Sequence, residues 1–283
     1  MNPQPNQQQF QVAPVTEGCE PIGVRRYDTR VHDFSALTPV TQNSRAAPTQ
    51  PPVMLGSFWR ESLTLMELHL AHGWRRLRVG ERIYFVGESF ENLFLITSGL
   101  FQTVCQTSDG REQPTGPYFK GDWLGLDGIP TGIHGCSAVA LDISEVWTFR
   151  YDDLLRVAAV QPLVMRLMLC AMASQLTRHR DTMLSVNTLT ADRRVADFLL
   201  RWAQSLAERG LRTDQIHIHM TRAEMGSHTG LTLESVCRAL ARLALCGVIE
   251  FNEKGRRDIS IPDLAALRDF VLSSTDPATT LLH

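Results

Sequence analysis

Five polar residues follow one another at helical spacing toward the C-terminal end of the chain: Glu234, Ser235, Cys237, Arg238 and Arg242. Between them, Val236, Leu240 and Leu243 recur at i, i+4 and i+7, the spacing of a single inward helix face. An arginine can pair bidentately with guanine, and a glutamate can accept from the amino group of cytosine. The polar face of this predicted helix therefore suits the major groove of DNA.

A short helix and a tight turn are predicted directly before it. Residues 224–229 have helical composition, with Met225 as the inward residue. Gly230 supplies the positive φ that ends a helix without steric cost, and Thr232 is a good N-cap for the next helix. This spacing is that of a helix-turn-helix, although an ordinary helical hairpin with a solvated face would share it.

The flanking segments favour a winged helix-turn-helix. Residues 248–251 and 257–261 read as the two strands of a β-hairpin, joined by a turn at 252–255. Upstream, Thr190 is expected to cap a helix over residues 191–210. Its inward side chains are expected to be Val195, Phe198, Leu199, Trp202 and Leu206. Residues 216–219 alternate like a strand, with His217 and His219 as polar surface.

A long helix with a heptad pattern precedes this domain. Helical composition begins after Tyr151 and continues to about Asn187, with Pro162 in a first turn. Apolar and related positions then recur at alternating spacings of four and three: Met165, Leu169, Met172, Leu176, His179, Met183 and Val186. This period is typical of a two-stranded coiled coil. We favour a homodimer seam over packing of this helix on its own domain.

Short apolar runs divided by turn residues occupy Val79 to Arg150 and predict a β-barrel or sandwich. The breaks fall near residues 80, 87, 99, 121 and 132, and residues 108–111 form a good hairpin tip. A helical pattern is expected between Val53 and Leu77. Residues 1–55 have few bulky apolar side chains and are expected to be disordered.

Composition excludes several classes of protein. The 283 residues carry a net charge of −2, so any nucleic-acid contact must be local. The cysteines lie far apart, at 19, 105, 136, 170, 237 and 246, which argues against a structural zinc site and a secreted disulfide scaffold. With neither a signal peptide nor a membrane span visible, we expect a cytoplasmic protein. No pattern of catalytic residues stands out, so we expect no enzyme.

The order of barrel, long helix and winged helix-turn-helix resembles the CRP/FNR superfamily of transcription regulators. Three motifs carry the resemblance: GERIYFVGE with FLITSGLFQT, FKGDWLGLDGI, and TRAEMGSHTGLTLESVCRALARL. The second and third are closer to the FNR branch, whose recognition helix carries Glu-x-x-Ser-Arg and reads a TTGAT-type half-site. The resemblance implies that Glu234 and Arg238 read bases while Thr232 and Ser235 hold phosphates. Arg222 and Arg242 complete the expected DNA contacts, and Cys237 replaces the usual serine.

The sequence departs from the superfamily's pattern at two places that would bind the regulatory ligand. Residues 121–139 contain no arginine, so the phosphate of cyclic AMP would lack a charge partner. Only Cys19 precedes Cys105, and Trp147 stands at the position of the family's central cysteine, so an iron–sulfur cluster is not expected. His134 and Cys136 could ligate haem or a metal, but a loop pair satisfied by its own protein contacts is the preferred interpretation. Cys105 and Cys170 are expected to pack as small apolar residues.

The sequence thus predicts an α+β protein with five segments. These are a disordered segment 1–55, a cyclic-nucleotide-binding-like barrel 56–158, a dimerisation helix 159–187, a winged helix-turn-helix domain 188–272, and a tail 273–283. The expected seam residues are Met165, Leu169, Met172, Leu176, His179 and Met183. The expected partners are palindromic double-stranded DNA and RNA polymerase, the latter through residues 108–111. Cys237 is proposed as a redox switch. A haem- or small-ligand-dependent sensor of nitric oxide or another effector is the alternative.

Overall fold

The computed structural model describes residues 63–68, 70–251 and 257–273. The predicted disordered segment 1–55, the hairpin turn 252–255 and nearly all of the tail lie outside these ranges. Within the described ranges, no helix is both long and apolar enough to span a lipid bilayer.

Two four-stranded antiparallel sheets form a jelly-roll barrel. The strands are β1 Gly73–Leu77, β2 Arg82–Tyr84, β3 Asn92–Ser98, β4 Leu100–Gln106, β5 Glu112–Phe119, β6 Trp123–Leu124, β7 Cys136–Ala140 and β8 Ser144–Arg150. One sheet has the order β1-β8-β3-β6 and the other β2-β7-β4-β5. Alternate residues point inward, so that Phe94, Ile96, Phe101 and Val146 fill the space between the sheets.

The predicted turns are confirmed, since positive φ angles occur at the glycines of each break. The prediction of a helical pattern between Val53 and Leu77 is partly wrong. Residues 63–68 are helical, but Gly73–Leu77 pairs along its full length with β8. Pairing with a neighbouring strand is a tertiary interaction, and it overrides a weak local helical pattern.

Six α-helices follow β8 in the described part of the chain. They are α1 Tyr151–Val160, α2 Pro162–Thr188, α3 Ala191–Ala207, α4 Arg222–Thr229, α5 Leu233–Leu245 and α6 Leu264–Leu272. The helical region after Tyr151 is therefore broken. Gln161 is extended, with φ −121° and ψ 93°, because a residue before proline is disfavoured in the helical region. Pro162 then opens α2 as predicted.

The C-terminal domain packs around α3. Val195, Leu199 and Trp202 are buried as expected, whereas Thr190 stands at the N-cap of α3 without a capping bond from its side chain. A three-stranded sheet of β9 Gln215–His217, β10 Glu250–Phe251 and β11 Asp258–Ser260 completes the domain, in the order β10-β11-β9. Helix α6 was not predicted. It packs on α3 through the buried Leu267 and Val271.

Candidate nucleic-acid interface

Helix α4 and the turn after it have a tightly fixed backbone. Thr221 and Glu224 form a capping box, in which each side chain accepts from the other's backbone N–H. Gly230 adopts φ 67° and ψ 37° at the end of the helix, as predicted. Gly226 is required for a different reason. A Cβ built there would lie 2.5 Å from the carbonyl oxygen of Leu231, so only glycine lets the turn close on α4.

One face of α5 is buried and fixes its orientation. Val236, Leu240 and Leu243 are each at most 2% exposed and pack in the core of the C-terminal domain, which confirms the predicted inward stripe. Thr232 is the N-cap, and its hydroxyl accepts from the backbone N–H of Ser235 at 3.2 Å. With one face locked in the core, the other projects from the domain.

The projecting face holds a chain of hydrogen bonds. The Thr232 hydroxyl donates to Ser235 Oγ at 3.1 Å, and Arg238 Nη2 donates to the same Ser235 oxygen at 3.2 Å. Glu234 and Arg238 are exposed. Hydrogen bonds from the backbone N–H of Glu234 itself and from Thr232 hold the pKa of the Glu234 carboxyl below its usual value. The two predicted base-reading side chains are therefore charged, solvent-facing and four residues apart.

Arg242 has a structural contact that sequence reasoning missed. Its guanidinium forms a two-point ion pair with Asp192 in the first turn of α3, with Nε to Oδ2 at 2.5 Å. This pair fixes the C-terminal half of α5 against α3. Arg242 was predicted as a DNA contact, and the structure places it at the edge of the projecting face, half exposed.

Cys237 lies in a groove between α5 and the wing. Arg222 at the start of α4, and Phe251 and Arg257 of the β10–β11 hairpin, line the same groove. Cys237 is exposed, as predicted, and lies in the second turn of α5. The groove brings an exposed thiol and two arginines to one surface, although the protein as a whole has a net negative charge.

The barrel contacts α4 through three polar bonds. Gln102 Nε2 of β4 donates to Glu224 Oε1 at 2.7 Å, and Gln113 Nε2 of β5 donates to the carbonyl oxygen of Ser227 at 3.2 Å. Burial would raise the pKa of Glu224, but the bonds from Gln102 and Thr221 outweigh it and leave that pKa lowered.

The third bond joins His228 Nδ1 to the carbonyl oxygen of Thr115, 3.1 Å apart. Burial lowers the pKa of His228, which favours the neutral ring in this contact. Helix α4 is thus bonded to the barrel, a link that residue spacing could not reveal.

Helix α2 has two apolar faces, one buried against the barrel and the other largely exposed to solvent. Val164, Leu167 and Met168 are buried against the barrel. Most of the predicted seam is uncovered: Met165, Leu169, Leu176 and Met183 are 38%, 57%, 70% and 66% exposed. Met172 is half-buried, and His179 is exposed beside them. The heptad positions therefore form an apolar stripe that the chain itself leaves largely open.

His134 and Cys136, expected as a satisfied loop pair, do not both lie in a loop. Cys136 is the first residue of β7, and its thiol lies 3.4 Å from Asp127 Oδ2. The ring of His134 is 3% exposed and stacks on Tyr84 with 3.9 Å between ring centroids. Its Nδ1 atom is buried without a hydrogen-bond partner. In the described ranges, no group of three or more His, Cys, Asp or Glu side chains is arranged to hold a metal ion.

Two domain families match the chain. The cyclic nucleotide-binding domain covers residues 74–160, and the Crp-like helix-turn-helix domain covers residues 193–270. These ranges coincide with the barrel and with the C-terminal domain that carries α4 and α5.

Individual relatives cover the two domains together. Transcriptional regulatory protein btr of Bordetella pertussis is 31% identical over 192 residues, which are 68% of this chain and 79% of btr. Transcriptional activator protein FnrA of Stutzerimonas stutzeri is 30% identical over 193 residues, with the same two coverages. The solved structure of FixK2 from Bradyrhizobium japonicum superposes with a TM-score of 0.64 at 28% identity, covering 73% of this chain and 100% of FixK2.

Proposed function

The chain belongs to the CRP/FNR superfamily of transcription regulators, and on that premise we propose that it binds a TTGAT-type palindrome as a homodimer. The observation that carries the proposal is the projecting face of α5. There Glu234 and Arg238 are exposed and charged, while the opposite face is locked in the core. Bidentate arginine–guanine pairing and glutamate–cytosine contacts are the chemistry that these two side chains supply.

The proposed homodimer would form through the open apolar stripe of α2. Two copies of the open stripe would cover Leu169, Leu176 and Met183 by packing on each other. Two recognition helices would then address half-sites one DNA turn apart, ~34 Å. Thr232 and Ser235 would contact phosphates beside the bases, and Arg222 and Arg242 would flank them. We place this activity in the cytoplasm, where the DNA lies.

Selection of binding sites from random DNA tests the proposal. The full-length protein is incubated with a random duplex pool, and bound DNA is sequenced after several rounds. We expect enrichment of two inverted TTGAT-type half-sites at one-turn spacing. Enrichment of a single half-site, or of no sequence at all, would contradict the proposed dimeric reading.

RNA polymerase is the proposed partner for the hairpin between β4 and β5. Residues 107–111 project from the barrel as a turn, with Gly110 at φ 81° and Arg111 paired to Asp109. The hairpin lies on the same two strands that contact α4. In a regulator bound to DNA, this tip would thus extend from the strands that contact α4.

Cys237 is the proposed point of redox control. Its thiol is exposed in the groove that must approach DNA, and oxidation to a sulfinic acid adds bulk and negative charge. We expect peroxide to weaken the parent's binding in a DNA-shift titration and to spare Cys237→Ser. An equal response of both proteins would assign the effect to another thiol.

Neither of two familiar barrel ligands fits the described residues. A haem iron would have to reach His134, whose ring is stacked against Tyr84 and packed edge-on to Phe90, or Cys136, whose buried thiol lies 3.4 Å from Asp127 Oδ2. Cyclic AMP would bring a phosphate toward residues 121–139. There the Asp127 carboxylate already accepts from the backbone N–H groups of Gly135 and Cys136 at 2.8 and 3.2 Å. A second anion at this place would be repelled. We therefore propose a signal other than cyclic AMP or haem.

A further inference from the structure

Two cysteines that lie far apart in the sequence face each other inside the barrel. Strands β4 and β7 are antiparallel neighbours, and Cys105 is the register partner of Cys136. Their side chains belong to the inner face, since Phe101 and Ala140 form the same kind of pair farther along and are fully buried. Cys136 is a member of the barrel core, and Cys105 packs against that core.

The hydrogen bonds around this pair define its geometry. The N–H of Leu141 donates to the carbonyl oxygen of Leu100 at 2.8 Å, whereas the N–H of Ala140 points away from β4, to Glu81. Bonded and non-bonded pairs alternate along an antiparallel ladder, which makes Cys105–Cys136 a non-hydrogen-bonded pair. Such pairs have a Cα separation of ~4.5 Å. A disulfide requires about 4.4–6.8 Å, so the backbone already permits one.

The two thiols are chemically unequal. A hydrogen bond from Cys136 lowers the pKa of Cys105 to about 7, although burial and Asp127 oppose this. The same bond, together with burial and Asp127, raises the pKa of Cys136. One sulfur is therefore available as a thiolate near neutral pH, which is the condition for an efficient attacking thiol. Cys136 keeps its single proton, which is directed at Cys105 while Cys105 is a thiolate, and Asp127 Oδ2, 3.4 Å from the Cys136 sulfur, is the alternative acceptor.

Cys105, the thiol with the lower pKa, is also the more accessible of the two to solvent. Cys105 is partly exposed, whereas Cys136 is 7% exposed. A small oxidant entering from solvent meets the Cys105 sulfur first. Cys136 is shielded from the oxidant but lies directly across the ladder from the sulfur that has reacted.

We propose that Cys105 and Cys136 form a peroxide-reactive dithiol that closes to a disulfide between β4 and β7. The Cys105 thiolate attacks one peroxide oxygen and the O–O bond breaks. The departing hydroxide takes from solvent the proton that Cys105 released on ionising, so that one water and a sulfenic acid form. The Cys136 sulfur, giving its proton to Asp127, then attacks the Cys105 sulfur. The S–S bond forms, the S–O bond breaks, and the departing hydroxide takes up that proton as a second water. Two thiols lose two electrons, and one peroxide becomes two waters.

The strand that carries Cys105 also carries a contact with the DNA-binding domain. Gln102 on β4 donates to Glu224, and Gln113, the β5 register partner of Cys105, donates to Ser227. A covalent link from β4 to β7 would stiffen the strand on which α4 rests. The dithiol is independent of the proposed DNA site, and its chemistry can be tested without DNA.

Peptide mapping of the full-length protein tests the proposal. The reduced protein is treated with hydrogen peroxide, remaining thiols are alkylated, and the chain is digested with trypsin without reductant. Arg111 and Lys120 separate the two cysteines, which therefore fall in peptides 83–111 and 121–150. We expect these two peptides to be cross-linked, and the cross-link to disappear on reduction. Because this measurement uses the parent chain, it does not depend on the folding of a variant.

Two variants complete the experiment. Cys105→Ser, at the partly exposed position, should remove the cross-link and leave Cys136 alkylated, while the matched control Cys246→Ser should retain the cross-link. The proposal is overturned if Cys105 in the parent is recovered as a free thiol or a sulfinic acid without a cross-link. It is equally overturned if Cys105 is joined to Cys170 or another cysteine instead of Cys136.

Discussion

Helices α2 and α5 both carry apolar side chains at spacings of three and four residues, but the chain covers only one of the two stripes. Val236, Leu240 and Leu243 of α5 are enclosed by α3 and the small sheet. Leu169, Leu176 and Met183 of α2 are all more than half exposed. Large exposed apolar residues along one helix face mark a surface for association. The same pattern thus serves folding in one helix and, we propose, assembly in the other.

The largest difference in the free energy of unfolding should appear when one leucine of α5 and one leucine of α2 are each replaced by alanine. Leu240→Ala removes buried methyl groups and should lower the free energy of unfolding by ~2–5 kcal/mol. Leu176→Ala, made in a 70% exposed side chain, should change it by less than about 0.5 kcal/mol in dilute monomer. Urea denaturation of both variants at low protein concentration measures the difference. Similar losses would mean that the α2 stripe is covered within the monomer.

A charge on the open stripe should break the dimer without unfolding the chain. Leu176→Glu would place two unpaired carboxylates at a symmetric contact, because each copy contributes one. We expect the dimer dissociation constant to rise at least ~100-fold, about 3 kcal/mol. Sedimentation velocity provides the measurement, and circular dichroism checks the fold. Leu211→Glu, at an exposed leucine outside the stripe, is the matched control. A dimer of unchanged stability in Leu176→Glu would refute the seam.

The projecting face of α5 should respond in DNA binding rather than in stability. Arg238→Ala should weaken binding to the selected palindrome by ~1–3 kcal/mol and binding to random DNA much less. Arg156→Ala removes an exposed arginine from α1, far along the chain from α5, and should leave both affinities unchanged. Fluorescence anisotropy with both duplexes provides the comparison. Equal losses on both DNAs would show that Arg238 contacts phosphate alone.

The smallest expected effect is a pH dependence of the α2 stripe. His179 lies on the stripe and would face its own copy in a parallel pair. Partial burial and the neighbouring Arg178 lower the pKa of His179 even in the single chain. In the dimer the two rings would face each other, which favours the neutral ring further, so the dimer is fully stable at and above the usual histidine pKa of ~6.5. As pH falls below ~6.5, through the lowered pKa of His179 in the separated chains, those chains gain protons that the dimer resists, and association should weaken.

Sedimentation equilibrium between pH 7.5 and 5.5 measures this effect, for which we expect a change of roughly threefold to tenfold. His179→Gln should flatten the profile. His217→Gln, at a histidine paired with Asp258 in the C-terminal sheet, should keep the parent's profile. If His179→Gln and the parent respond alike, another group on the stripe titrates.

Much of the candidate site was predictable because it depends on local rules. The turn at Gly230, the N-cap at Thr232 and the inward stripe of α5 all follow from residue type and helical period, and the structure confirms each. The barrel strands were located from their turn residues for the same reason. The error at Gly73–Leu77 arose where a strand is stabilised by β8, a segment distant in sequence.

The features that could not be predicted are contacts between segments distant in the sequence. The amino-acid sequence by itself determined the order of domains, the recognition-helix face and the heptad, because each is a repeat or a type preference within a few residues. Only the tertiary structure decided that Asp192 holds Arg242, that Gln102 bonds to Glu224, and that Cys105 lies opposite Cys136. These contacts join residues separated by 31 to 122 positions. Strand register and domain docking set them, and both are fixed by burial summed over the whole core rather than by any local pattern.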